Sequence, residues 1–133
     1  MSNLDIPPPF DAAWFLFTLG FIIGATLGSF GTMLAHRLPR HMSIVSPRSH
    51  CPSCKTTLGV IDLIPIASWL LTKGHCRHCQ APIGVQYLGI ELATSLACGT
   101  ASAIIGISPA LIPAYAVILA LVVATETHLA KRP

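Results

Sequence analysis

The sequence predicts an all-α membrane protein of about three transmembrane helices, joined by a small cysteine-rich module. Three observations carry that prediction. The 133-residue chain is 53% hydrophobic and only 10% charged, too apolar and too poor in charge for a typical soluble domain. Its apolar residues gather in three long runs. Four of its five cysteines form two Cys-x-x-Cys pairs in the basic stretch between the first two runs.

Residues 1–12 read as an acidic tail carrying Asp5 and Asp11. The first run, residues 13–35, holds no charge. At about 1.5 Å per residue it is long enough to cross a bilayer core of roughly 30 Å. A cleaved signal peptide is the alternative reading, but no basic segment precedes the run and its apolar stretch is too long, so a retained helix is expected. The second run, residues 88–107, contains one carboxylate, Glu91. Ser108-Pro109 then reads as a helix start, and the third run covers residues 110–127. Residues 128–133 form a short tail with Lys131 and Arg132.

Charge placement predicts the topology. Six of the eight basic residues (Arg37, Arg40, Arg48, Lys55, Lys73, Arg77) fall in the loop 36–86, opposed there only by Asp62. Such a cluster could serve a nucleic acid, but the excess of Lys and Arg in cytoplasmic loops explains it without a ligand. The expectation is therefore an inner-membrane, multi-pass protein with its N-terminus outside, its cysteine loop in the cytoplasm, membrane lipid around it and no nucleic-acid partner. Gly20, Gly24 and Gly28 recur every four residues in the first run, followed by Thr32. That makes a smooth stripe where another backbone can come close. Ala93, Ala97 and Ala101 make a similar stripe in the second run. Packing among the three helices is the plain reading, and packing against a partner membrane protein is the sharper one.

Cys51-Pro52-Ser53-Cys54 and Cys76-Arg77-His78-Cys79 are separated by 21 residues. A cytoplasmic loop is kept reduced, so paired cysteines there bind metal or do redox chemistry. One Cys-x-x-Cys could be a redox motif. Two at this separation, without a thioredoxin-like βαβ pattern, favour one tetrahedral zinc held by Cys51, Cys54, Cys76 and Cys79. Four protein ligands leave no open position, which makes the zinc structural. It would supply on the order of 10 kcal/mol of folding energy to a loop too small to build a core. A disulfide pair or unmetallated thiols are the alternatives. His50, His75 and His78 flank the cysteines and are expected to be exposed or to support the ligands. Cys98, inside the second run, reads as a small packing residue. Between the pairs, Val60 to Leu71 is too short to span a bilayer and is interrupted by Pro65. A short helix after Pro65 is expected on the membrane surface or the spans, with Trp69 at the interface. Glu91, a carboxylate close to a span, must be paired or functional. A salt bridge or hydrogen bond to the basic loop, with Arg37 as one candidate partner, is the plain expectation, and contact with a substrate amine or a methyl-donor site is the sharper one.

Several short motifs now line up. Gly28-Ser29-Phe30, His36-Arg37-Leu38-Pro39, Ser49-His50-Cys51-Pro52-Ser53-Cys54 and Ile64 to Leu71 are followed by Gly74-His75-Cys76-Arg77-His78-Cys79, Ala81-Pro82-Ile83, Gln86-Tyr87 and Ile90-Glu91-Leu92. Their order and spacing over residues 18–95 resemble the N-terminal domain of bacterial prepilin peptidases. That resemblance implies a polytopic inner-membrane aspartic peptidase family, acting on type IV prepilins and type II secretion pseudopilins. It also implies N-methylation with S-adenosylmethionine as donor, and a zinc-bound cytoplasmic loop at Cys51, Cys54, Cys76 and Cys79. Two positions depart from the family pattern. Leu88 stands where the family often has proline. Thr125 stands where the family's first catalytic aspartate is expected, and the second belongs to a region beyond residue 133.

An aspartic peptidase needs two carboxylates sharing one site, one protonated while the other activates water. The candidates near the spans are Glu91 and Glu126, and neither matches a catalytic aspartate of the family. No Gly-rich loop after a strand supports a Rossmann-like methyltransferase fold either. The expectation is a truncated relative that does not cleave alone, with no catalytic residue assigned and Glu91 as a candidate functional carboxylate. It would act as a zinc-stabilised accessory or scaffold for prepilin-like substrates or for a separate catalytic subunit. One part of a split peptidase/N-methyltransferase is the enzymatic alternative. A zinc-thiolate redox sensor is the third reading.

Overall fold

The computed structural model describes residues 12–130; the charged tails with Asp5, Asp11, Lys131 and Arg132 lie outside the described residues. Three long helices form over the apolar runs: α1 (Ala12–Arg37), α3 (Val85–Ile105) and α4 (Leu111–Leu129). A five-residue helix, α2 (Ala67–Leu71), sits in the loop between α1 and α3. All three long helices are long and apolar enough to cross a membrane. Among the described residues there is no strand, only two isolated antiparallel bridges in the loop.

The core of the bundle is a seam of small residues. Gly20, Gly24, Gly28, Gly31, Ala25 and Ala35 are buried on α1. A Cβ added at Gly24 would come within 2.5 Å of the Thr94 carbonyl and 2.7 Å of Ser95 Cα; one at Gly28 would stand 3.1 Å from Glu91 Cα. So α1 and α3 touch backbone to backbone, which only glycine allows and which suits helices in a solvent that supplies no hydrophobic drive between them. The partners on α3 are Thr94, Ser95, Cys98, Gly99 and Ser102, all buried. Of the expected Ala93, Ala97 and Ala101 stripe, the first two are exposed and the third half-buried, each one residue out of phase with the seam. Both stripes repeat every four residues, so spacing alone does not choose between them.

Polar groups in the seam satisfy themselves. Thr94, Ser95 and Ser102 donate to the carbonyls four residues back, at 2.7, 2.6 and 2.8 Å. That is the usual economy of hydroxyls in membrane helices. Cys98 is fully buried opposite Gly24, a packing residue as expected. Ser102 also meets the Tyr115 hydroxyl and ties α3 to α4. Gly31 of α1 faces Val122 and Leu119 of α4. The turn between α3 and α4 begins at Gly106, whose φ of 71° suits a residue without a Cβ. Ser108 then receives the Ala110 N–H before α4 starts.

Arg37 ends α1 and is buried. Its guanidinium donates to the Ser43 and Pro47 carbonyls, 2.6 Å each, and fastens the first part of the loop to the helix end.

Candidate metal centre

Each cysteine pair sits in a knuckle with its own hydrogen-bond frame. In the first, Cys51 N–H donates to the Thr56 carbonyl (3.0 Å), Lys55 N–H to the Cys51 carbonyl (2.9 Å) and Leu58 N–H to the Ser49 carbonyl (2.9 Å). In the second, Cys76 N–H donates to Ala81 (2.8 Å), Gln80 N–H to Cys76 (3.0 Å) and Ile83 N–H to Gly74 (2.7 Å). Every partner in the second set is its counterpart in the first moved on by 25 residues. The same offset relates the bridges His50–Thr57 and His75–Pro82. It relates Lys55 and Gln80, both at φ 59°. It relates two imidazoles, since His50 Nδ1 lies 3.2 Å from the Arg48 carbonyl and His75 Nδ1 lies 2.8 Å from the Lys73 carbonyl. The loop is therefore a structural repeat, two copies of one knuckle facing each other. Sequence reading missed it, although the aligned identities His50/His75, Cys51/Cys76, Cys54/Cys79 and Gly59/Gly84 carry the signal.

The repeat brings the four sulfurs of Cys51, Cys54, Cys76 and Cys79 within 4.8 Å of one another. Cys51 and Cys79 Sγ are 3.8 Å apart, too far for a disulfide. That spacing fits a tetrahedron of sulfurs around a zinc ion, whose edge is about 3.8 Å for Zn–S bonds near 2.3 Å. Cys51 and Cys76 are buried, Cys54 is half-buried and Cys79 exposed. The donor set suits a structural zinc, a closed shell that cross-links the two knuckles.

The electrostatics suit a cation as well. The N–H groups of Cys54 and Ser53 hold the Cys51 thiol below its ordinary range, and those of Cys79 and His78 do the same for Cys76. The Thr56 hydroxyl, 3.3 Å from the sulfur, and the Thr56 amide lower Cys54. Cys79 goes the other way. The Ala81 N–H favours its thiolate, but desolvation and the three neighbouring sulfurs outweigh that and push it up to about 11. The neighbouring sulfurs disfavour a negative charge on Cys79, and a divalent ion at the centre would remove that penalty.

The linker between the knuckles is tied on both sides. Trp69 lies against Gly74, where an added Cβ would stand 2.7 Å from the ring, and its indole N–H donates to the Ile83 carbonyl at 3.3 Å. Trp69 thus packs on the second knuckle. Asp62 receives the Gly59 N–H (3.1 Å) and pairs with Arg77 Nε (3.1 Å).

Glu91 is bonded to the loop, but through a different group from the one expected. Arg37 is engaged by carbonyls, whereas Glu91 Oε2 accepts the Ile66 N–H at 2.7 Å. Ile66 has φ 63°, ψ −55°, and Ala67 N–H donates to the Pro65 carbonyl at 2.6 Å. This is a γ-turn of the rare, strained hand, centred on a β-branched residue. Its central amide has no partner in secondary structure, so Glu91 supplies one.

The sequence model of the bacterial Peptidase A24 N-terminal domain matches residues 22–105, which hold both knuckles, Glu91 and most of α1 and α3. The chain belongs to this family. Within it, the chain is 41% identical over 109 residues to a prepilin leader peptidase/N-methyltransferase of Bacillus subtilis, covering 82% of this chain and 44% of that protein. A protein of the same name from Myxococcus xanthus is 38% identical over 96 residues, 72% of this chain and 28% of the relative. A type 4 prepilin-like proteins leader peptide-processing enzyme of Escherichia coli is 52% identical over 56 residues, 42% of this chain and 21% of the relative. The chain spans less than half the length of these relatives. No solved structure matches it. For a Peptidase A24 N-terminal domain, the knuckles and the α1–α3 seam are the matched part, and α4 lies beyond it.

Proposed function

We propose that this chain is a zinc-stapled membrane scaffold for prepilin processing, one that does not cut alone. It resides in the bacterial inner membrane with the knuckles in the cytoplasm, and it presents prepilin or pseudopilin leaders of type IV pilus and type II secretion systems to aspartyl chemistry supplied elsewhere. The observation that carries this reading is the pre-formed four-sulfur cluster between two tightly seamed helices, in a chain matched to relatives named for leader-peptide processing. Glu91 Oε2 accepts the Ile66 N–H, which supports a structural role for that carboxylate. Zinc bound there would hold the knuckles closed, and it leaves no open coordination position for water.

A split enzyme is the second reading. In it the chain contributes one part of a peptidase/N-methyltransferase whose S-adenosylmethionine and aspartates meet it in a partner chain. The double name carried by several relatives favours it. Co-expression with a prepilin, followed by mass spectrometry of the pilin N-terminus, tests the scaffold reading. The scaffold reading expects an uncut, unmethylated leader with this chain alone, and co-purification of the prepilin with it. Cleavage or methylation by the chain alone overturns it.

A further inference from the structure

We propose that the linker between the two knuckles, residues 60–71, is a membrane-inserting element, seated in the lipid leaflet on the zinc side of the bilayer. The first ground is depth. The Ile66 amide is bonded to the side chain of Glu91, whose backbone stands six residues, or about 9 Å, from the start of α3. The α1 helix gives the same answer independently: Gly28 packs against Glu91, nine residues before the end of α1 at Arg37, or about 14 Å. The linker's midpoint is therefore held against the zinc-side ends of both spans, at the level of the membrane interface. At the interfacial level headgroups and water meet backbone groups that the linker leaves free, and the Glu91 bond meets that need for the γ-turn amide.

The second ground is chemistry. Val60 is 76% exposed, Leu71 71% and Leu70 57%, and Ile61, Leu63 and Ile64 are exposed as well. In water this would be an unprotected apolar patch; at this depth lipid covers it. The one charge within the linker, Asp62, is neutralised by Arg77. Past Leu71 the chain turns basic. A cleft of about 400 Å³ beside it is lined by Leu71, Thr72, Lys73, Arg77 and Gln80. Apolar side chains followed directly by cations match the order of acyl chain and anionic headgroup met on leaving a bilayer.

The test uses the zinc-loaded full chain in nanodiscs of phosphatidylethanolamine and phosphatidylglycerol. A ketone-bearing residue introduced at Ile64 or Leu71 carries a nitroxide and leaves the cysteines untouched; one at Gln80 is the water-exposed reference. Collision with oxygen and with a water-soluble nickel complex reads depth. At 64 and 71 we expect loss of nickel accessibility relative to 80, with oxygen accessibility retained. In Glu91→Ala the label at 64 should regain nickel accessibility while zinc content stays that of the parent chain. Nickel accessibility at 64 and 71 equal to that at 80 overturns the proposal by placing the linker in water. Exclusion of both reagents overturns it too, because protein then covers the patch. An unchanged signal in Glu91→Ala overturns the anchoring by Glu91.

Discussion

The helical seam and the cysteine module solve the same problem in opposite ways. Along α1 and α3, glycines face hydroxyls and a thiol, and stability comes from backbones in close contact. In the module, apart from Gly74, the only buried residues are two cysteines, so apolar burial contributes little and a metal held by the four sulfurs would supply the folding energy. The difference teaches where each region is fragile. The seam fails when volume is added, and the module fails when a ligand is removed.

The largest effect expected is on the module. Chelation, or Cys76→Ser, should remove stabilisation on the order of 10 kcal/mol and unfold residues 49–83. Hydrogen exchange should lose protection there while the α1 and α3 amides keep theirs. Loss in both regions together would show that the two are one cooperative unit. Next comes the seam. Gly24→Leu places a side chain where even a Cβ meets the Thr94 carbonyl and Ser95 Cα, and backbone cannot yield as a side chain can. Overpacking of this kind costs roughly 1–3 kcal/mol or more. Thermal unfolding in detergent should fall while zinc content stays stoichiometric, the mirror image of the cysteine variant.

Glu91→Ala should follow, at about 1–3 kcal/mol, by leaving the Ile66 amide unpaired. Glu91→Gln keeps an acceptor and should lose less. Exchange of the Ile66 amide is the direct readout, because this bond joins the two regions being compared. Arg77→Ala should have the smallest effect, within about 1 kcal/mol, since Arg77 is 45% exposed and surface ion pairs are weak. A large loss of zinc affinity in that variant would mean that the linker helps to close the metal site.

Much of this was legible before any coordinates. The apolar runs, the glycine stripe, the four cysteines as one cluster and Cys98 as packing all follow from residue type and spacing. Two misreadings show where that stops. The α3 face was read from Ala93 and Ala97, but Thr94, Ser95 and Cys98 form the seam. Small residues line both faces, and only the mutual rotation of the helices selects one. A bond from Glu91 to the loop was expected with Arg37 as a candidate partner, yet the partner is an amide set free by a strained turn at Ile66.

By itself the sequence determined how many segments can cross a bilayer and which atoms can hold a metal, because hydropathy and sulfur chemistry are properties of the residues. The tertiary structure alone decided the register of α1 on α3, the pairing of the duplicated knuckles and the bond by which Glu91 holds the linker. Those depend on contacts between residues distant in the chain, and spacing along a single strand of sequence does not encode them locally.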